Sequence, residues 1–143
     1  MFLGTYSPKL DEKGRLILPA RFRGELAGGV VLTKGQERCL FVFQLGDFEA
    51  RAAAREQTAS STKAAREFNR VLFASAFDQT PDTQGRITVP PGLRTYAGLT
   101  RDCSVIGVNT HLEVWDAATW TAHEAAQEAA FADQDEEPHL IGS

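Results

Sequence analysis

The side chains of this sequence best suited to chemistry are arginines that stand twice in the same setting. Residues 11 to 23 read DEKGRLILPARFR and residues 82 to 94 read DTQGRITVPPGLR. Asp11, Gly14, Arg15, Pro19 and Arg23 thus recur as Asp82, Gly85, Arg86, Pro90 and Arg94, at a constant offset of 71. A guanidinium is planar and permanently charged, and it can grip a phosphate, a carboxylate or the acceptor edge of guanine with two parallel hydrogen bonds. The chemistry on offer is recognition of an anion or a base edge, with no covalent step.

Residue patterns for catalysis are missing. The chain has no Gly-rich phosphate loop ending in Lys, no GxGxxG after a strand and no GxSxG elbow. His123 and Glu124 begin a word like HExxH, but Gln127 stands where the second metal-binding His belongs. His111, His123 and His139 fall in three different contexts and read as surface or core histidines. Cys39 and Cys103 lack CxxC partners and sit at different places relative to the repeat, so they read as buried, reduced thiols in a reducing compartment. Paired carboxylates occur only as the hairpin aspartates and as tail acids, neither enclosed enough for acid catalysis. The sequence therefore predicts no enzyme, no cofactor, no metal and no small-molecule substrate.

The elements that must carry the arginines follow from local chemistry. Asp at the first position of a type I turn, with Gly in the left-handed position three residues later, joins two strands in a hairpin. Arg follows at once, then a short apolar run that Pro19 or Pro90 ends because proline donates no ladder hydrogen bond. Leu16 answers Ile87, Leu18 answers Val89 and Phe22 answers Leu93, so the copies share a burial pattern. Beyond Pro19 a short helix, ARFRGELA, is stopped by Gly28-Gly29, and strands over Val30 to Thr33 and Leu40 to Phe43 flank a polar turn.

At an offset of 72, Leu40, Val42, Phe43 and Phe48 recur as Leu112, Val114, Trp115 and Trp120, each strand leading into a helix. Asp47 and Asp116 are the expected N-caps, and the aromatics are expected in the core. The Ala-rich stretch 46–77 reads as two helices divided at SSTK. In the second, Ala64, Phe68, Val71, Leu72 and Ser75 form an apolar face, predicting a helical hairpin packed on a strand core. A further helix over about Ala117 to Phe131 precedes an acidic, frayed tail. The resulting division is a module at 5–47, a helical linker at 48–75, a second module at 76–119 and a C-terminal helix and tail at 120–143.

At 143 residues, 43% hydrophobic and 24% charged, the chain has the composition of a folded globular protein. It has no apolar run long enough to span a bilayer, and MFLGTY lacks a signal-peptide pattern, so the expectation is a cytoplasmic protein without a membrane partner. The net charge of -4 hides an uneven distribution. All 15 Lys and Arg precede residue 113, against 11 acids in the same span, a net of +4 there. Residues 1 to 24 hold Lys9, Lys13, Arg15, Arg21 and Arg23 against Asp11 and Glu12, a local +3 that could meet phosphate.

Taken in order, MFLGTY, DEKGRLILPARFR, RVLFASA, DTQGRITVPP and VNTHLEVWD resemble the MraZ family of bacterial transcriptional regulators, from residue 1 to about residue 120. The resemblance implies an α+β fold: two tandem modules of SpoVT-AbrB type making a duplicated AbrB-like swapped-hairpin β-barrel within one chain, with packed helices after each copy. In related proteins two chains build that barrel. It implies a ring-shaped homo-oligomer in the cytoplasm and nucleoid. Its partner would be double-stranded DNA at short direct repeats in the promoter of the division and cell-wall gene cluster, usually repressed. Carried over residue by residue, the DNA-binding positions are Lys13 and Arg15 in the first copy and Gln84 and Arg86 in the second. Thr83, Thr88 and Gly92 stand opposite Glu12, Ile17 and Arg21, so the first module is expected to carry more of the affinity. Two rival readings use the same residues: an AbrB-type antitoxin-like regulator with a protein partner, and an oligomeric scaffold that binds no DNA.

Overall fold

A computed structural model describes residues 1–57 and 62–134. The first copy runs β1 (Thr5–Tyr6), β2 (Arg15–Ile17), a 3-10 turn (Ala20–Phe22) into α1 (Arg23–Leu26), β3 (Val30–Lys34), β4 (Leu40–Gln44) and α2 (Leu45–Gln57). After α3 (Lys63–Ser75) the order repeats as β5 (Phe77–Gln79), β6 (Arg86–Thr88), α4 (Pro91–Ala97), β7 (Cys103–Gly107), β8 (Leu112–Asp116) and α5 (Ala117–Ala132). The fold is α+β and duplicated. Among the described residues no helix is long and apolar enough to cross a membrane.

The strands form a six-stranded sheet in the order β1-β7-β8-β4-β3-β5 and a separate two-stranded ribbon, β2-β6, all antiparallel. Pairing crosses between the copies: β1 lies on β7, β5 on β3, β2 on β6 and β4 on β8. In the ribbon Leu16 faces Ile87, with Arg15 opposite Thr88 and Ile17 opposite Arg86. In the sheet Phe41 faces Glu113, with Leu40 opposite Val114 and Val42 opposite Leu112. Each central pair joins equivalent positions of the repeat, so a local two-fold axis passes through both pairs. The copies are related by rotation.

The barrel expected from the sequence does not close. β1 and β5 are open edges of the sheet, and the ribbon lies over one face as a layer of its own. Among the described residues, its β-bridges outside the ribbon's own pairing come down to single contacts, such as Leu10 with Leu16. The cause is local: Pro19 and Pro90 follow each three-residue strand closely and bring no N–H with which to extend the ladder.

Between the layers lies the main core. The ribbon arms contribute Leu16, Leu18, Ile87 and Val89, the short helices contribute Phe22, Leu26, Leu93 and Ala97, and alternate sheet residues such as Val30, Leu32, Val105 and Val114 face them. The intervening sheet residues point the other way, where Val31 and Phe43 pack with Phe48, and Ile106 and Trp115 pack with Trp120. Phe43 stacks on Phe48 at 5.6 Å, and Trp115 meets Trp120 edge-on at 5.3 Å, so the repeated aromatics clamp α2 and α5 to the sheet. Both thiols are free and buried. Burial pushes Cys103 up to about 11, helped by the Asp116 charge, and raises Cys39 further, so both stay protonated and unreactive at neutral pH.

Two local expectations are corrected. Asp116 does cap α5, its carboxylate accepting from the Thr119 N–H at 3.2 Å, but Asp47 does not cap α2. That helix starts at Leu45, and the amide oxygen of Gln44 accepts from the Asp47 N–H at 2.8 Å, while Asp47 pairs with Arg51 at 3.0 Å. β4 enters the helix without a break, so the residue at its end becomes the cap. The predicted apolar face of α3 is also less covered than expected: Phe68 and Val71 are 40% and 53% exposed. Ser75 accepts from the Lys34 N–H, Arg55 of α2 bonds Asn69 and lies 4.5 Å above the Phe68 ring, and these contacts dock the helix while its outer apolar stripe stays open. Ser60 and Ser61 of the expected helix break, and residues 135–143 of the acidic tail, lie outside the described residues.

Candidate nucleic-acid interface

Each hairpin is set by one aspartate. The Asp11 carbonyl accepts from the Gly14 N–H at 3.0 Å, and Gly14 sits at φ +76°, a conformation that favours glycine. One carboxylate oxygen of Asp11 accepts from the backbone N–H groups of Lys13 (2.9 Å) and Arg15 (2.8 Å), and the other accepts from Arg15 Nε at 2.7 Å. The second copy repeats this: Asp82 takes the N–H groups of Gln84 and Arg86 at 2.9 Å each and Arg86 Nε at 2.7 Å, with Gly85 also at φ +76°. The Arg N–H and the guanidinium beyond it hold both carboxyls below the usual carboxylate range. A lowered folded-state pKa makes this contribution fully present above the ordinary carboxylate range and lost only as pH falls through the lowered value. The hairpins are therefore intact at neutral and weakly acid pH.

The ion pairs engage Nε alone. Nη1 and Nη2 of Arg15 and Arg86 make no hydrogen bond to the described residues, and the side chains are 31% and 28% exposed. Asp orients each guanidinium by one edge and leaves the forked end for something else. Period-two alternation sends Leu16 and Ile87 into the core, so Arg15, Ile17, Arg86 and Thr88 share the outward face of the ribbon. With about 3.4 Å per residue and about 5 Å between strands, the two arginines sit diagonally roughly 8 Å apart at Cα. Lys13 and Gln84 flank them at the exposed tips.

Ile17 and Thr88, each directly opposite one of the arginines on this face, were missed as candidates in the sequence. Ile17 is 42% exposed although it stands between two buried leucines. That position in an alternating strand was the available signal. The charge of the face also differs from the sequence expectation. Asp11 and Glu12 cancel Lys13 and Arg15 in the first hairpin, Asp82 cancels Arg86 in the second, and Lys9 stands 3.8 Å from Asp102. Asp11→Asn should keep the turn acceptor but release Arg15 and leave the tip positive. Its elution from a cation-exchange matrix should move to higher salt than that of the unsubstituted protein.

Among the described residues no three His, Cys, Asp or Glu side chains come together as a metal site. His123 packs its ring on Trp115 at 4.7 Å. The protein is thus a duplicated α+β domain, its two copies related by a two-fold axis and carrying matched arginines on one exposed ribbon. The family model described as "MraZ protein, putative antitoxin-like" matches residues 1–71 and again residues 72–140. The chain is 58% identical over 137 residues to the transcriptional regulator MraZ of Thermobifida fusca, 56% to that of Frankia alni and 54% to that of Micrococcus luteus, with 96% of both chains covered each time. This chain belongs to the MraZ family, whose members are named as transcriptional regulators and not as enzymes.

Proposed function

We propose that this chain is a sequence-specific DNA-binding transcription regulator whose β2-β6 ribbon enters the major groove of promoter DNA. The observation that carries this reading is the pair of guanidinium forks, Arg15 and Arg86, without an Nη hydrogen bond to the described residues and set on one outward face of a ribbon. A two-stranded ribbon fits the major groove, and Arg there reads guanine while an apolar group such as Ile17 meets a thymine methyl. Lys13 and Gln84 are assigned to the flanking backbone or base edges. The modules at 5–47 and 76–119 act as the two halves of one reading head, their strands interleaved within one chain.

One such head makes a small footprint, so useful affinity calls for several heads linked in an assembly. The exposed patch of Phe68, Val71 and Phe77 is a surface that assembly would cover. A ring of copies related head to tail matches direct repeats spaced near one helical turn, roughly 10 base pairs. The setting is the cytoplasm and nucleoid, and the target is the promoter of the division and cell-wall gene cluster, which binding represses. Footprinting of the purified protein on DNA upstream of its own gene tests this. Protected direct repeats are expected; no protection, or a palindrome, would overturn it. The same apolar stripe also suits an antitoxin-like protein partner, a reading favoured if a second chain co-purifies stoichiometrically.

Arg86→Ala should weaken operator binding less than Arg15→Ala does, because Lys13 and Arg21 have Gln84 and Gly92 as counterparts. Parallel titrations of the two variants on one duplex give the ranking, and a reversed order would mean the second hairpin leads.

A further inference from the structure

We infer that Arg23 and Arg94, the closing arginines of the two repeats, are phosphate-binding residues that each copy lends to the other copy's hairpin. This rests on the DNA-binding reading above and adds to it the source of the positive charge. In sequence each closing Arg stands eight residues beyond its own hairpin Arg. In the fold it crosses over. A Cβ on Gly14 would collide with the guanidinium of Arg94, and a Cβ on Gly85 would collide with the side chain of Arg23. Arg94 therefore lies against the first turn, at Gly14, and Arg23 lies against the second, at Gly85. The backbone fixes this exchange: the Val89 N–H donates to the Gly14 carbonyl and the Leu18 N–H to the Gly85 carbonyl, each at 2.8 Å.

Neither arginine is satisfied where it lies. Among the described residues neither has a carboxylate within ion-pair distance. Arg94 donates no side-chain hydrogen bond to the described residues, and Arg23 donates one, from Nε to the Leu18 carbonyl at 3.2 Å. The hairpins they border are neutral by internal cancellation, so Arg94 and Arg23 are, among the described residues, cations without a carboxylate partner at the two turns. An unpaired guanidinium beside a neutral base-reading hairpin suits a DNA phosphate flanking the bases read. The two glycines thus serve twice, once for the positive φ of the turn and once as the space in which the opposite guanidinium lies.

The test is fluorescence anisotropy of the full chain on an operator duplex and an unrelated duplex, across a salt series. Arg94→Gln should weaken both duplexes by the same factor, about 3- to 10-fold near physiological salt, and lower the slope of log affinity against log salt by about 1 for each hairpin engaged. Arg94→Lys should keep the slope. Arg23→Gln repeats the measurement at the other hairpin and decides the matter if Arg94→Gln does not fold. Unchanged slope and affinity in folded Arg94→Gln, with the wild type binding normally, would overturn the inference alone. So would a loss in Arg94→Lys equal to that in Arg94→Gln, because the role would then be packing. A wild-type protein without salt-dependent DNA binding would overturn the DNA reading itself.

Discussion

Arg15→Ala is expected to abolish operator binding while the protein stays folded. The side chain lies on the outward face of the ribbon, and the Asp11 carboxylate would still accept the backbone N–H groups of residues 13 and 15 that define the turn. What disappears is the guanidinium fork, and a bidentate contact to a base is worth about 1–3 kcal/mol of discrimination, or roughly 5- to 150-fold. Two features enlarge the effect. Asp11 would be left without its counter-ion, turning a neutral tip negative toward phosphate, and the loss would recur in every subunit of an assembly. A mobility-shift titration together with thermal unfolding checks both halves, and retained operator affinity would remove Arg15 from the interface.

Leu16→Ala should produce the largest loss of stability. Leu16 is fully buried and meets Ile87 on the local two-fold axis, so one side chain supports both arms of the ribbon. Truncating a buried Leu costs about 2–5 kcal/mol through lost burial and the cavity left behind. That is a large part of a typical total of about 5–15 kcal/mol. Urea denaturation should show the full shift in midpoint, and DNA binding should fail at both hairpins together. Ile17→Ala, one residue on but facing outward, should leave the midpoint nearly unchanged. Equal effects of the two substitutions would mean that the ribbon is not the lid of the core.

The turns, the short strands and the Asp116 cap were legible because each is decided within four or five residues. Asp at the first position and Gly three later specify the hairpin whatever surrounds it, whereas the run Leu16, Ile17, Leu18 is apolar throughout and only the fold turns Ile17 outward. The duplication was equally plain, and with it the pairing of Arg15 with Arg86 as equivalents. Asp47 misled because a strand that runs straight into a helix moves the cap to Gln44, an outcome that depends on where the ladder with β3 ends.

Strand partners were decided only in three dimensions. β1 joins β7 and β5 joins β3 because the buried faces of the two copies complete one core only when exchanged about the two-fold axis, a match between residues about a hundred or about fifty positions apart. The same exchange moves Arg23 to the second hairpin and Arg94 to the first, which no local pattern encodes. The sequence by itself therefore determined the two turns and the arginine that follows each. Tertiary structure decided which of the charges around them remain uncancelled, because electrostatic balance depends on distance through space and not along the chain.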